Sequence, residues 1–224
     1  MDNLNLNNKN KPATIFVDCD DVLCDISTKW TKGILDQKDY FSKYFNLPND
    51  INLVKTRMFF HLNQWLMKED YKFESKEEFE EFRNKFMAIY LKKDFYSDLK
   101  PTGFAHSLSL IAPNSMVKKI IILTRSFDEN FSSKKEFISI LFRNSLSKVE
   151  IEKIGPDQKK SDIFSKYNEC DILVDDELPN IVDILKNTFV SKCDIYVPKY
   201  GYNKPNDDFM SLVSEKKCNL TYYY

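Results

Sequence analysis

Three short apolar runs, each ending in a polar group able to do chemistry, constrain this chain more than any other feature. Thr14-Ile15-Phe16-Val17 leads into Asp18-Cys19-Asp20. Val117-Lys118-Lys119-Ile120-Ile121-Ile122-Leu123 leads into Thr124, and Cys170-Asp171-Ile172-Leu173-Val174 leads into Asp175-Asp176. β-Branched and aromatic residues at this density predict strands buried on both faces, and such strands belong to parallel sheets covered by helices. Open parallel sheets gather their ligands at the carboxyl ends of the strands, which is where all three polar groups fall.

Each signal also has a plainer reading. With 34 acidic residues in 224, an Asp-x-Asp arises by chance on solvated loops. Thr124 reads equally as a strand-end hydroxyl, and Asp175-Asp176 as the cap of a helix begun by Pro179. The three signals occurring in order is what favours a site. Between and after them, residues 101–112 read as a helix and Val149-Glu150-Ile151 as a short strand. Ile181, Val182, Ile184 and Leu185 mark one helix face, and residues 193–197 form one more strand. This alternation predicts an α/β protein: a Rossmann-like parallel sheet with helices on both faces. The chain has four glycines and neither GxGxxG nor GxxxxGK[ST], so dinucleotide binding and P-loop chemistry have no support.

From Asp25 to Lys100 the pattern changes to helical periodicity thick with aromatics. Ile26, Trp30 and Ile34 recur at one spacing, and Phe79, Phe82, Phe86 and Tyr90 at another, behind a Ser75-Lys76-Glu77-Glu78 capping box. A third helical stretch is expected across residues 58–67. The predicted organisation is a disordered tail over residues 1–13, an α/β core over 14–25 and 101–224, and a helical cap over 26–100. Most of the cap aromatics are expected to form its core.

A net charge of −1 gives no general attraction to a polyanion, so extended nucleic acid is not an expected partner. Five cysteines without a CxxC pair read as reduced thiols. The sequence contains neither an apolar run of membrane-spanning length nor a signal-peptide core, so no membrane association and a cytoplasmic location are expected.

Taken together, apolar-Asp-x-Asp, apolar-Thr and apolar-Asp-Asp resemble the haloacid dehalogenase superfamily of aspartate-nucleophile phosphatases, from Thr14 to about Pro198. Phe16-Val17-Asp18-Cys19-Asp20-Asp21-Val22-Leu23, the helical cap directly after it, Lys134 to Phe137, Pro179-Asn180 and Tyr202-Asn203 look most like its 5'(3')-deoxyribonucleotidases. The resemblance implies that Asp18 attacks the phosphoryl group and forms an aspartyl-phosphate. It implies Asp20 as the proton donor and acceptor, the acid that sets phosphatases and mutases apart from the dehalogenases. It further implies Mg²⁺ held by Asp18, the Asp20 carbonyl and Asp175, with Thr124 on a phosphoryl oxygen and Asp176 in a supporting place. The substrate would be a small phosphate monoester, a nucleoside monophosphate above all, with Trp30, Phe60 and Trp65 as candidates for stacking on a base. A sugar phosphate, or a non-enzymatic binding module on the same fold, stays open.

Such a phosphatase also needs a lysine beside the nucleophile. Ser133-Lys134-Lys135-Glu136 reads as a capping box with two lysines in its first turn, where positive charge opposes the helix dipole unless an anion is near. Lys159-Lys160, ahead of a helix expected over 162–167, is the other pair. Lys134 is preferred here over Lys135, Lys159 and Lys160. Arg125 departs from the family pattern, which has a small residue after the threonine, and it would clamp the phosphate or narrow the pocket.

Overall fold

The structure is a computed structural model that describes residues 11–155 and 157–223. Within them one sheet is built from β1 (Ala13–Asp18), β2 (Val117–Arg125), β3 (Val149–Ile154), β4 (Ile172–Val174), β5 (Asp194–Pro198) and β6 (Asn219–Tyr223). The strand order is β3-β2-β1-β4-β5-β6, and every neighbouring pair is parallel. The chain builds outward from β1 in one direction and then returns to place β4 on its other side. That reversal is the switch point at which an open α/β sheet leaves a crevice. Val17 pairs with Val174 across it, so Asp18 and Asp175 are the next residues on adjoining strands.

Helices α1 (Ile26–Leu35), α2 (Lys38–Phe41), α3 (Leu62–Leu66), α4 (Lys76–Tyr90) and α5 (Gly103–Ile111) lie between β1 and β2. Helix α6 (Asp128–Leu141) follows β2, and α7 (Lys160–Ile163), α8 (Leu178–Asn187) and α9 (Asp207–Glu215) follow β3, β4 and β5. Alternation along β1 fills both faces of the sheet. Ile15 and Val17 join Ala105, Leu108, Phe137 and Ile138 on one side, and Phe16 joins Ile163, Ile181, Ile184 and Phe209 on the other. Full burial of each such side chain is worth roughly 1.5–3 kcal/mol, which explains why the stretches 15–17, 120–123 and 172–174 leading to the strand ends are wholly apolar.

The insert has a core of its own, in which Ile34, Phe41, Phe45, Leu66, Phe82 and Phe86 pack together. Ser75 caps α4 by accepting from the Glu78 amide, as its sequence predicts. The expected helix over 58–67 is shorter, because Arg57 and His61 are extended and Met58 and Phe59 are exposed. The strand begins at Ala13, whose amide donates to Met116 O at 2.8 Å, so the expected tail boundary falls too late. Residues 1–10 of that tail lie outside the described residues. Ser133-Lys134-Lys135-Glu136 is no cap either: α6 starts at Asp128, and Ser133 gives its hydroxyl to Asn130 O in mid-helix. Among the described residues no helix is long and apolar enough to cross a membrane.

The insert is locked to the sheet at Gly201, in the loop after β5. The Gly201 amide donates to Lys55 O at 3.2 Å, and a Cβ there would lie 2.3 Å from Thr56 O and 2.5 Å from Arg57 O. Gly201→Ala is therefore expected to push the insert segment away and cost about 1–3 kcal/mol of overpacking. A thermal melt equal to wild type would show that the segment yields freely.

Candidate active site

Directly after β1 the chain makes a tight turn, with the Leu23 amide on Cys19 O and the Asp21 amide on Cys24 O, both at 2.8 Å. Asp21 carries the cost of this turn at φ 57, a left-handed conformation that Asp tolerates better than most residues. Its buried carboxylate accepts from the Ser27 amide at 3.0 Å, from the Ser27 hydroxyl, and from Arg57 at 3.3 Å. Arg57 is itself buried, donates to Val54 O and Phe60 O, and lies over the rings of Tyr200 and Tyr202. The turn that presents Asp18 and Asp20 is thus held in shape by an ion pair from the insert.

Asp18, Asp175 and Asp176 are buried, with carboxylate oxygens within 4.8 Å of one another. Lys160, also buried, reaches Asp18 Oδ1 at 2.7 Å and Asp175 Oδ2 at 2.6 Å. Asp175 Oδ1 accepts from the Glu177 amide and Asn180, and Asp176 Oδ2 from the Tyr202 hydroxyl at 2.8 Å. Burial pushes the Asp18 carboxyl up to about 7; Lys160 opposes the rise, and Asp175 and Asp20 add to it. Burial, then the charges of Asp18 and Asp175, push Asp176 up as well. Burial works against the Lys160 charge, but Asp175 and Asp18 outweigh it and hold the ammonium protonated.

A second group stands beside the first. Lys134 Nζ donates to Asp20 Oδ2, Thr124 Oγ1 and Arg125 O, each at 2.9 Å. An ammonium has three protons, so Lys134 is fully engaged. Asp20 also accepts from Tyr96 at 2.9 Å and Tyr90 at 3.2 Å, and the two phenols are 2.9 Å apart.

This geometry corrects the expected lysine. The cation on Asp18 is Lys160, brought there by the start of α7, whereas Lys134 projects from the interior of α6 toward the end of β2. Lys135 and Lys159 are exposed, and Lys159 pairs with Asp183. Arg125 is exposed and donates to Gln158 O at 3.2 Å, which braces the loop before α7. Trp30 packs on Phe86 and Tyr90 and gives its indole N–H to Phe86 O, while Trp65 packs against the core of the insert. Phe60 lies edge-on to Tyr202, whose hydroxyl bonds Asp176, and Trp30 is likewise one residue from Asp20 through Tyr90. No known family model matches the chain. No curated protein resembles it closely enough to count as a relative. Any functional reading therefore rests on these residues and their contacts.

The contacts of Tyr90, Tyr96 and Arg57 escape the sequence reading. Tyr90 carries only the helical spacing of a core residue, and Arg57 is one of 33 basic residues with no motif around it.

The donor set fits a hard divalent cation. Three buried carboxylates face a single lysine, and their crowding helps to push Asp18 and Asp176 up, a strain that a divalent cation would relieve, whereas Asp20 and Asp21 are each matched by their own cation. The ligand atoms that Asp18, Asp175 and Asp176 offer are all carboxylate oxygens, which suit Mg²⁺.

Proposed function

We propose that this chain is a Mg²⁺-dependent phosphomonoester hydrolase of the haloacid dehalogenase type, acting on nucleoside monophosphates, deoxynucleotides included. The observation that carries the reading is the meeting of Asp18, Asp175 and Lys160 at the switch point of the sheet, with Asp20, Thr124 and Lys134 beside them. Asp18 attacks phosphorus in line; its bond to phosphorus forms as the bond to the leaving alcohol breaks, and Asp20 gives that oxygen a proton. Water then attacks the aspartyl-phosphate, Asp20 takes the proton back, and inorganic phosphate leaves Asp18 free again. Lys160 has donated two protons, to Asp18 and Asp175, and its third has no partner among the described residues, so it is the donor available to a phosphoryl oxygen. Asp18, Asp175 and the Asp20 carbonyl would hold Mg²⁺, with Asp176 steadying the arrangement. The ion, when bound, draws charge from the phosphoryl oxygens.

Phe60 supports a nucleotide over a sugar phosphate, because its ring stands one residue away from Asp176 through Tyr202. A base stacked on an aromatic ring gains roughly 1–3 kcal/mol that a sugar phosphate cannot use.

Phosphate release by the purified protein should be measured across deoxynucleoside monophosphates and sugar phosphates. Release from nucleotides, silenced by EDTA and restored by Mg²⁺, is the expected result. Mg²⁺ should also raise the melting temperature by about 3 °C or more at saturating concentration, and Asp175→Asn should abolish that rise. Activity that survives thorough chelation would contradict the metal assignment, preference for sugar phosphates would overturn the substrate, and no release from any ester would overturn the reading.

A further inference from the structure

The carboxylate of Asp20 offers about four lone-pair positions, and three are taken. Lys134 and Tyr90 both bond Oδ2, and Tyr96 bonds Oδ1, leaving one position on Oδ1. Two of these three donors come from the inserted segment, and both pack with Val17 and Phe137 in the cluster that covers one face of the sheet. Tyr90 is the last residue of α4 and Tyr96 lies in the segment that leaves it, so the insert itself grips the acid. Both phenols are buried with their oxygens 2.9 Å apart; each has one proton, which goes to Asp20 and not to the other phenol, and Tyr96 also lies under the Lys134 ammonium, 4.8 Å from ring centre to Nζ. Asp20 keeps 21% of its side chain exposed, so the grip covers its back and leaves one edge open. Asn130 fixes the end of α4 by donating to Tyr90 O at 2.9 Å, which ties the phenol pair to α6 and hence to Lys134.

Resting on the hydrolase reading above, we infer that Tyr90 and Tyr96 are positioning residues which aim the free lone pair of Asp20 Oδ1 at the leaving oxygen, so that proton transfer depends on the insert being seated. When Asp20 is protonated, the proton sits at that one open position while the three bonds donated to the carboxylate persist. It passes from Oδ1 to the leaving oxygen as the phosphorus–oxygen bond breaks. Removing either hydroxyl frees the carboxylate to turn, and the proton is then presented badly.

The dependence of rate on the leaving group tests this. kcat/KM reports the steps up to expulsion of the alcohol, where a basic alkoxide needs the proton and p-nitrophenolate needs it far less. Tyr96→Phe and Tyr90→Phe should each lower the ratio of kcat/KM for a nucleoside monophosphate to that for p-nitrophenyl phosphate by about tenfold. In an Asp20→Ala background the same changes should leave the ratio where Asp20→Ala alone puts it, because they act only through that carboxylate. Tyr→Phe removes one oxygen from each side chain; if one variant fails to fold, the other gives the same ratio. A ratio unchanged from wild type, or one that falls equally with and without Asp20, would overturn the inference while leaving the hydrolase reading intact. Wild-type protein inactive on both esters would instead overturn the hydrolase reading.

Discussion

Asp18→Asn should abolish phosphate release, with a loss on the order of 10³ or more, while the protein folds as before. The amide has almost the shape of the carboxylate but is not a nucleophile at phosphorus and is a poor ligand for a divalent cation. The expected fold is unharmed because Lys160 keeps its bond to Asp175 when Asp18 loses its charge. The replacement also removes one of three crowded carboxylates, whose burial and neighbours already hold Asp18 near 7. Melting within about 1 kcal/mol of wild type, together with lost turnover, is the combination to look for. Turnover at the wild-type rate would sink covalent catalysis through Asp18.

The parts of this site that were legible in the sequence lie at the ends of central strands. The middle of a strand buried on both faces favours apolar side chains, so the polarity of Asp18, Thr124 and Asp175 stands out against Phe16, Ile122 and Val174. Edge strand β6 did not stand out. It mixes Asn219 and Thr221 with tyrosines, and only Tyr223 is buried. The lysines were misread for a local reason: Ser133 and Glu136 imitate a capping box inside α6, while the true first turn carries Asp128 and Glu129. A helix start misplaced by six residues hides the phase that points Lys134 at Asp20. The grip of Tyr90 and Tyr96 on Asp20 joins residues 70 and 76 positions apart, and no local pattern encodes such a contact.

Removing the cation from the carboxylates tests the electrostatics without any assumption about the reaction. Lys160→Met keeps much of the side chain's volume but leaves Asp18, Asp175 and Asp176 buried with no protein cation among them. Breaking a buried pair on one side costs about 3–5 kcal/mol, because the abandoned charge has neither water nor a partner. For a chain of this size that corresponds to a fall of roughly 10 °C in melting temperature. Asp175→Asn in the Lys160→Met background should recover part of the loss, since it removes one of the stranded charges. Lys159→Met is the control one residue away: that side chain is 68% exposed, and its pairing with Asp183 is worth little in water. If Lys160→Met melted like Lys159→Met, the three carboxylates would have to be neutral in the fold. A cluster already neutral has no excess charge to offer a divalent ion, so that result would remove the physical ground for a metal at the switch point.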